Sequence, residues 1–583
     1  MTKFDTLIEG GYVVDGTGAP GRYADIGIAE GKIAAIGNLT GAKAVEVINA
    51  KGKIVAPGHV TQHTHYDAAL FWDPYCSNSG ENGVTTILNA NCGFGFAPVR
   101  PADKERVMGM METTEQIPVA HQKAGMPWDW ESFPEYLARV KALPKGVNVM
   151  TYLPINPLMI YVMGVDAAKT RPPTKDELAE MHRLINEAMD AGALGISMSA
   201  MGALGNSHVD VDGSSMPTDA ADPQTLLDIA QAVVDRGEGV IQILTQIAIF
   251  GMRETTERMA ELAKGTAVRV IHNVFLTSDF LPSMVDDDLA WLNGLRAKGC
   301  DVTAGAQINR GWVEAGIREL DAAGGQLPAI REIVNCASDE EVLALIAQPE
   351  FVARFEEQYT STGPSNGAAG IEGQIVISVG DATEYEDCMG KTMAELGAAQ
   401  GISAVAAMLD LGVKTRLGLQ MKSGLIGSLD TKQIMKLLSH AGVIGGGSDG
   451  GAHTKSFGMG HYPTDLLIWL VREEGVMTLE EMHFQLSLKV ARSMELYDRG
   501  ALIPGFWADV LIYDLNDLYF DMDRYEIVHD MPGGDWRRKG KAGGYEKIMV
   551  NGVVTHVDGA PTGAVPGHFT GLSGAQNFAI AAE

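Results

Sequence analysis

Ala56-Pro57-Gly58-His59-Val60-Thr61-Gln62-His63-Thr64-His65 is the stretch from which the fold is read. A Pro-Gly turn leads into an apolar run that ends in His63-Thr64-His65, and Asp67 follows. In extended chain, residues i and i+2 project to the same side. Two imidazoles at that spacing, at the end of a strand, can hold one metal ion from one face. Outward from this run the pattern repeats. Strand-like apolar runs cover 58–65, 84–91, 147–153, 193–199, 239–245, 267–273, 301–307 and 442–448. Helix-like segments lie between them. Thr174-Lys175-Asp176-Glu177 is a capping box, followed by Leu178, Met181, Leu184, Ile185, Ala188 and Met189 at helical spacing, with Gly192 as the stop. Thr478-Leu479-Glu480-Glu481 opens another helix in the same way.

Eight such units that close on themselves make an α/β fold, the TIM (β/α)8 barrel, whose chemistry sits at the C-terminal ends of the strands. The runner-up is an open doubly wound sheet, but no GxGxxG follows a strand to support it. The spacing is uneven, which predicts a distorted barrel over 57–504 with insertions near 94–146 and 308–441. Both chain ends read as short strands with tight turns, 1–56 and 505–583. Neither can bury a sheet face alone, and together they predict one small composite β-sandwich domain.

Composition narrows the function. The 583 residues carry a net charge of −29, which argues against nucleic acid as a partner. No apolar run approaches the roughly 18 residues of a membrane helix, and Met1-Thr2-Lys3-Phe4-Asp5 shows no leader-like apolar segment. Five scattered cysteines argue against a disulfide framework and for a reducing, cytoplasmic setting.

Further signals stand at the ends of other runs. Asn91-Cys92-Gly93 closes the second. Cys92 reads either as a ligand, which with imidazoles favours zinc, or as a buried inert thiol. Gly445-Gly446-Gly447-Ser448-Asp449-Gly450-Gly451-Ala452-His453 closes the eighth, beside the first when the ring is shut. Asp449 there can ligate a metal or take a proton from water. His453 can donate to a developing oxyanion, and Ser448 is a supporting or substrate-contacting residue. His272 ends the sixth run and is read as a ligand, with Asn273 next to it supporting the site or touching substrate. Arg310, after the seventh run, reads as a substrate-acid contact or as a salt-bridge residue. Met108, Met110, Met111, Met126, Trp128 and Trp130 in the first insertion read as an apolar pocket or as that insertion's own core.

These motifs carry a resemblance. The chain resembles the amidohydrolase superfamily and, within it, the D-aminoacylase-like (N-acyl-D-amino-acid deacylase) group. The likeness rests on Ala56-Pro57-Gly58…His63-Thr64-His65, Gly83-Val84-Thr85-Thr86…Asn91-Cys92-Gly93-Phe94, Gly447-Ser448-Asp449-Gly450-Gly451-Ala452-His453 and the approach to the terminal strands, Arg499-Gly500-Ala501-Leu502-Ile503-Pro504-Gly505. It implies zinc-dependent cleavage of the C–N bond of an N-acylated amino acid or similar small amide. His63, His65, Cys92 and His272 would be ligands and Asp449 the general acid/base and a ligand. It also implies assembly into homo-oligomers, as is frequent in the family. The sequence departs from the group at two places. Residues 240–246 carry no His, which leaves one or two ions open, and His272-Asn273-Val274 stands where that group has His-His-Lys. Hydrolysis of a cyclic amide or carbamate, decarboxylation, and a non-catalytic barrel are the rival readings.

Overall fold

The computed structural model describes residues 3–203, 208–245, 253–279, 281–320, 327–362 and 370–572. Its centre is a ring of eight parallel strands. Val84–Asn89 lies between His59–Val60 and Asn148–Thr151. The third position continues as Leu153–Pro154, which pairs with Gly195–Ala200. Val240–Thr245, Arg269–Phe275, Val302–Ala306 and Val443–Ile444 follow in order. Gly447–Gly450 closes the ring on His63–Thr64, with Gly447 opposite His63. This is the distorted TIM barrel read from the sequence. The first, third and eighth positions are each broken into two short strands, and the breaks in the first and eighth face each other, where Gln62 N donates to Gly446 O at 3.1 Å.

The strands read as unbroken apolar runs because both faces are covered. Val84–Asn89, Gly195–Ala200 and Val240–Thr245 are buried at every residue. The helices outside carry one apolar stripe each. In Lys175–Ala191 the buried residues are Met181, Leu184, Ile185, Ala188 and Met189, the set given by the periodicity. Its capping box is formed, with Glu177 N donating to Thr174 Oγ1 and Thr174 N to the Glu177 carboxylate. Gly192 ends it at φ 117°, a conformation that disfavours any residue with a Cβ.

The two chain ends meet in one nine-stranded sheet. Ile54–Pro57 is its seam, parallel to Lys3–Val13 on one side and antiparallel to Val510–Tyr513 on the other. Ile8, Val13, Ile26, Val55, Val510, Ile512 and Met549 form its core. Ile54–Pro57 leads directly into the first barrel strand, so the seam fixes where His63 and His65 arrive.

Residues 94–146 hold three helices, Lys104–Glu115, Val119–Gly125 and Phe133–Ala142. Met110 and Met111 of the first helix and Met126 and Trp130 of the segment between the second and third pack into the barrel's own apolar core, with Trp128 against it, so for these residues the core reading is the one the structure gives. Between residues 308 and 441 a second core forms around Ile330, Phe351, Phe355, Met408 and Leu409. The closing helix of that stretch, Thr431–Ser439, returns to the barrel core through Ile434, Leu437 and Leu438. Among the described residues no single helix is long and apolar enough to cross a membrane.

Candidate metal centre

The ring closure decides the site. Because His63–Thr64 pairs with Gly447–Gly450, the first and last strands deliver their terminal side chains to one point. His63 Nε2 lies 3.3 Å from Asp449 Oδ1, and His65 Nε2 lies 3.9 Å from the same oxygen. Cys92 Sγ lies 3.2 Å from His63 Nε2. One donor atom each from His63, His65 and Cys92 fall within 4.8 Å of one another.

Local chemistry explains how each is held. Cys92 sits at φ 57° and Ala90 at φ 58°, and Asp449 and His453 are also left-handed, at φ 46° and φ 50°. Backbone of this kind costs of order 1–3 kcal/mol per residue and persists only where the surroundings over-determine it. Here they do. Cys92 N donates to Gln242 Oε1 at 2.8 Å, and Gly93 N to Ser197 Oγ at 3.1 Å. Asn91 Nδ2 donates to Leu88 O and Thr64 O, which ties the turn to the first strand. Ser448 is fully buried, and its hydroxyl reaches His63 O at 3.3 Å, so it pins the closing strand pair rather than facing the cluster.

Electrostatics suit a cation. Burial holds His63 below its ordinary pKa against the opposing pull of Asp449. Burial, then His63, His453 and His208, holds His65 well below it. Both rings are therefore neutral, the form that ligates. Burial, then Glu115, Asp449 and Asp219, pushes the Cys92 thiol up. Asp67, buried beside Ala90, is pushed up to about 7 by burial. A Cys/His/His set with a carboxylate alongside is the donor chemistry zinc takes in four-coordinate sites, so the residues present fit such an ion.

Asn273 belongs to this centre. Its carboxamide nitrogen stands 2.8 Å from His63 Nδ1. A half-turn about the last side-chain bond exchanges that nitrogen for Oδ1, which has no other partner. When His63 Nε2 offers its lone pair to a metal, Nδ1 carries the proton, and the oxygen is the end that accepts it.

Two expectations are corrected. His272 is not at the centre. Successive residues of a strand face opposite ways, and the register that turns Asn273 inward turns His272 outward. Its Nδ1 lies 3.0 Å from Thr256 Oγ1, and its ring packs on Trp291 and Phe275. Burial pushes its pKa down to about 3, as for a core imidazole. Arg310 is not free to meet a substrate acid. Its guanidinium holds buried Asp465 through Nε at 2.7 Å and Nη2 at 2.6 Å, and Trp469 lies 5.1 Å from its centre. It is the salt-bridge residue of the two readings.

One residue was missed. Glu115, the last of the helix Lys104–Glu115, brings Oε2 to 3.6 Å from His65 Nε2 and 3.8 Å from His453 Nε2. Its main-chain oxygen accepts from His453 N at 2.6 Å. Burial, then Asp449 and Asp67, pushes its carboxyl well above the ordinary range. The sequence held a signal for it. Val107, Met111 and Glu115 share one helical face, so an acid occupies an apolar stripe.

Comparison with known proteins places this geometry. N-acyl-D-glutamate deacylase of Alcaligenes xylosoxydans xylosoxydans is 24% identical over 583 residues, covering 99% of each chain. D-aminoacylase of the same organism is 34% identical over 197 residues, 34% of this chain and 38% of that one. Among solved structures, the N-acyl-D-glutamate deacylase of Bordetella bronchiseptica, complexed with zinc and a phosphonate inhibitor, superposes with a TM-score of 0.64 at 22% identity, over 98% of this chain and 100% of that one. A D-aminoacylase described for its binuclear metal centre gives 0.64 at 21%, over 97% and 100%. These likenesses show the fold. The amidohydrolase family model matches residues 46–556, from the fourth strand of the terminal sheet to its last but one, through every barrel strand and every residue of the cluster, and the chain therefore belongs to that family.

Proposed function

We propose that this chain is a metal-dependent hydrolase that cleaves the C–N amide bond of an N-acylated amino acid or a similar small amide, with zinc as its ion. One observation carries the reading. The imidazoles of His63 and His65, the Cys92 thiol and the Asp449 carboxylate converge at the mouth of a closed barrel. The amide class is supported by the family and by the deacylases it resembles along its whole length.

His63, His65 and Cys92 would hold the ion, with Asp449 at its edge. Zinc in such a site supplies Lewis acidity, polarising a carbonyl and bringing the pKa of water from 15.7 to about 7. Asp449 does the proton work. Its side chain is 30% exposed while the imidazoles beside it are buried, so it is the group of this cluster that substrate and water reach. Its carboxylate takes the proton of the attacking water and passes it to the amide nitrogen, which leaves as an amine. General acid–base help of this kind is worth ~10²–10⁴-fold. His453 stands at the edge of the cluster, its Nε2 3.8 Å from Glu115 Oε2 and its Nδ1 3.3 Å from Gln116 Oε1, which accepts its proton, so the ring supports the centre through Glu115 and Gln116 rather than by donating to the oxygen of the tetrahedral species.

The test is release of free amine from a panel of N-acyl amino acids of both hands, before and after metal removal with a chelator. Activity that depends on the metal, and a loss of at least about 100-fold in kcat for Asp449→Asn with its metal retained, are the expected results. Full turnover by Asp449→Asn, or by chelated enzyme, ends this reading.

A further inference from the structure

We propose that Glu115, delivered by the inserted helix Lys104–Glu115, is a carboxylate ligand of the metal centre beside His65. The inference rests on the metal-centre reading above and names one more residue of it.

The geometry is that of a shared ion rather than of a hydrogen bond. Glu115 Oε2 stands 3.6 Å from His65 Nε2 and 3.8 Å from His453 Nε2, both beyond hydrogen-bond range. Two donors on one zinc, each bonded at about 2.0–2.1 Å, sit about 3–4 Å apart. The other neighbouring donor pairs fall in the same interval, with Cys92–His63 at 3.2 Å, His63–Asp449 at 3.3 Å and His65–Asp449 at 3.9 Å. Glu115 extends that chain of contacts by one member.

Burial gives the second reason. Glu115 is 4% exposed, and the nearest basic atoms to its carboxylate are the Nε2 of His65 at 3.6 Å and of His453 at 3.8 Å. A buried carboxylate without a partner is strongly unfavourable. The charged neighbours that act on it most are Asp449 and Asp67, which are acids themselves. A cation at His65 relieves this arrangement.

The helix end is also built to stay in place. His453 N donates to Glu115 O at 2.6 Å, and Ser456 Oγ donates to Gln116 Oε1 at 2.9 Å. Gln116 turns left-handed at φ 53° and closes the helix on Glu112 O and Met111 O. The insertion is thereby clamped to the loop that follows the last barrel strand, and the acid is fixed at the centre instead of swinging over it.

Cobalt titration of the metal-stripped full chain tests this. The wild type is expected to take up cobalt with a thiolate-to-cobalt charge-transfer band from Cys92. In Glu115→Gln, a near-isostere of the protonated acid, that band persists, the visible ligand-field bands change shape, and affinity by chelator competition falls at least tenfold. Glu115→Asp keeps the acid but withdraws it by one methylene, and it reads the same quantities if Glu115→Gln yields no folded protein. Unchanged affinity and unchanged bands in either folded variant overturn the ligand role of Glu115 and leave the metal-centre reading standing. A wild type that takes up no cobalt, or takes it up without the thiolate band, overturns that reading itself, and this proposal with it.

Discussion

Cys92 shows what a single side chain imposes on the centre. Burial and three acids keep its thiol protonated at neutral pH in the metal-free protein, whereas a metal takes the thiolate. Uptake must therefore expel that proton. The sign follows: raising the pH removes a competitor for the sulfur, so affinity rises with pH until the free thiol ionises by itself, well above its ordinary range. We expect at least one proton released per ion at pH 7, read with an indicator dye in weak buffer, and an apparent Kd that falls about tenfold per pH unit between pH 6 and 8. A pH-independent Kd with no proton release would mean that Cys92 is no ligand. The sequence left this residue open between ligand and inert thiol because a strand-end cysteine has the same spelling in both cases. What the sequence could not show is how the sulfur reaches 3.2 Å from His63 Nε2: the turn at φ 57° and the Gln242 contact hold it there, and the latter comes from three strands further round the ring.

Elements account for the correction at His272. The strand Arg269–Phe275 is buried at every residue from Val270 to Asn273, so its composition carries no alternation from which to read which side chains face the axis. Register with the neighbouring strands decides it. Ile243 opposes His272 and Leu244 opposes Asn273, and this phase turns Asn273 towards His63. The capping box and the apolar stripe of Lys175–Ala191 were legible because they are set within one helix. Glu115 was less so, since the helix that bears it is an insertion whose docking no local pattern specifies. The strand phase yields a plain contrast. His272→Gln should keep the metal content of the wild type, and its cost should appear as lost packing on Trp291, whereas His63→Ala should abolish tight binding. Metal analysis after gel filtration separates them. A metal-free but folded His272→Gln would restore it to the ligand set.

The whole molecule depends on two chain ends that share a sheet. That sheet is locked to the barrel by a buried polar group set at its seam. Arg499 Nη1 donates to Asp509 Oδ2 at 2.6 Å, with both side chains no more than 3% exposed. Asn551 N donates to Asp509 Oδ1 at 2.8 Å, and Asn551 Nδ2 to Asn148 Oδ1 at 2.7 Å, inside the third barrel strand. Gly58 N, just before the first barrel strand, donates to Asp509 O at 3.0 Å. One aspartate thus joins the last part of the chain to the strands that deliver His63 and His65. Removing one member of a buried ion pair typically costs about 3–5 kcal/mol, and here Arg499 would keep only the more distant Asp498, at 3.7 Å from its Nε, and Asn551 Oδ1 at 3.5 Å. Asp509→Ala should therefore lower the first unfolding transition in urea by that amount. Adding Arg499→Met should recover part of the loss, because the stranded guanidinium is then gone. Activity per folded molecule should change little, since neither group lies at the centre. If Asp509→Ala costs under about 1 kcal/mol, or if the double variant loses the full sum of the single ones, the seam does not hold the two ends as argued. The sheet would then be held by its apolar core around Ile26, Val55 and Ile512.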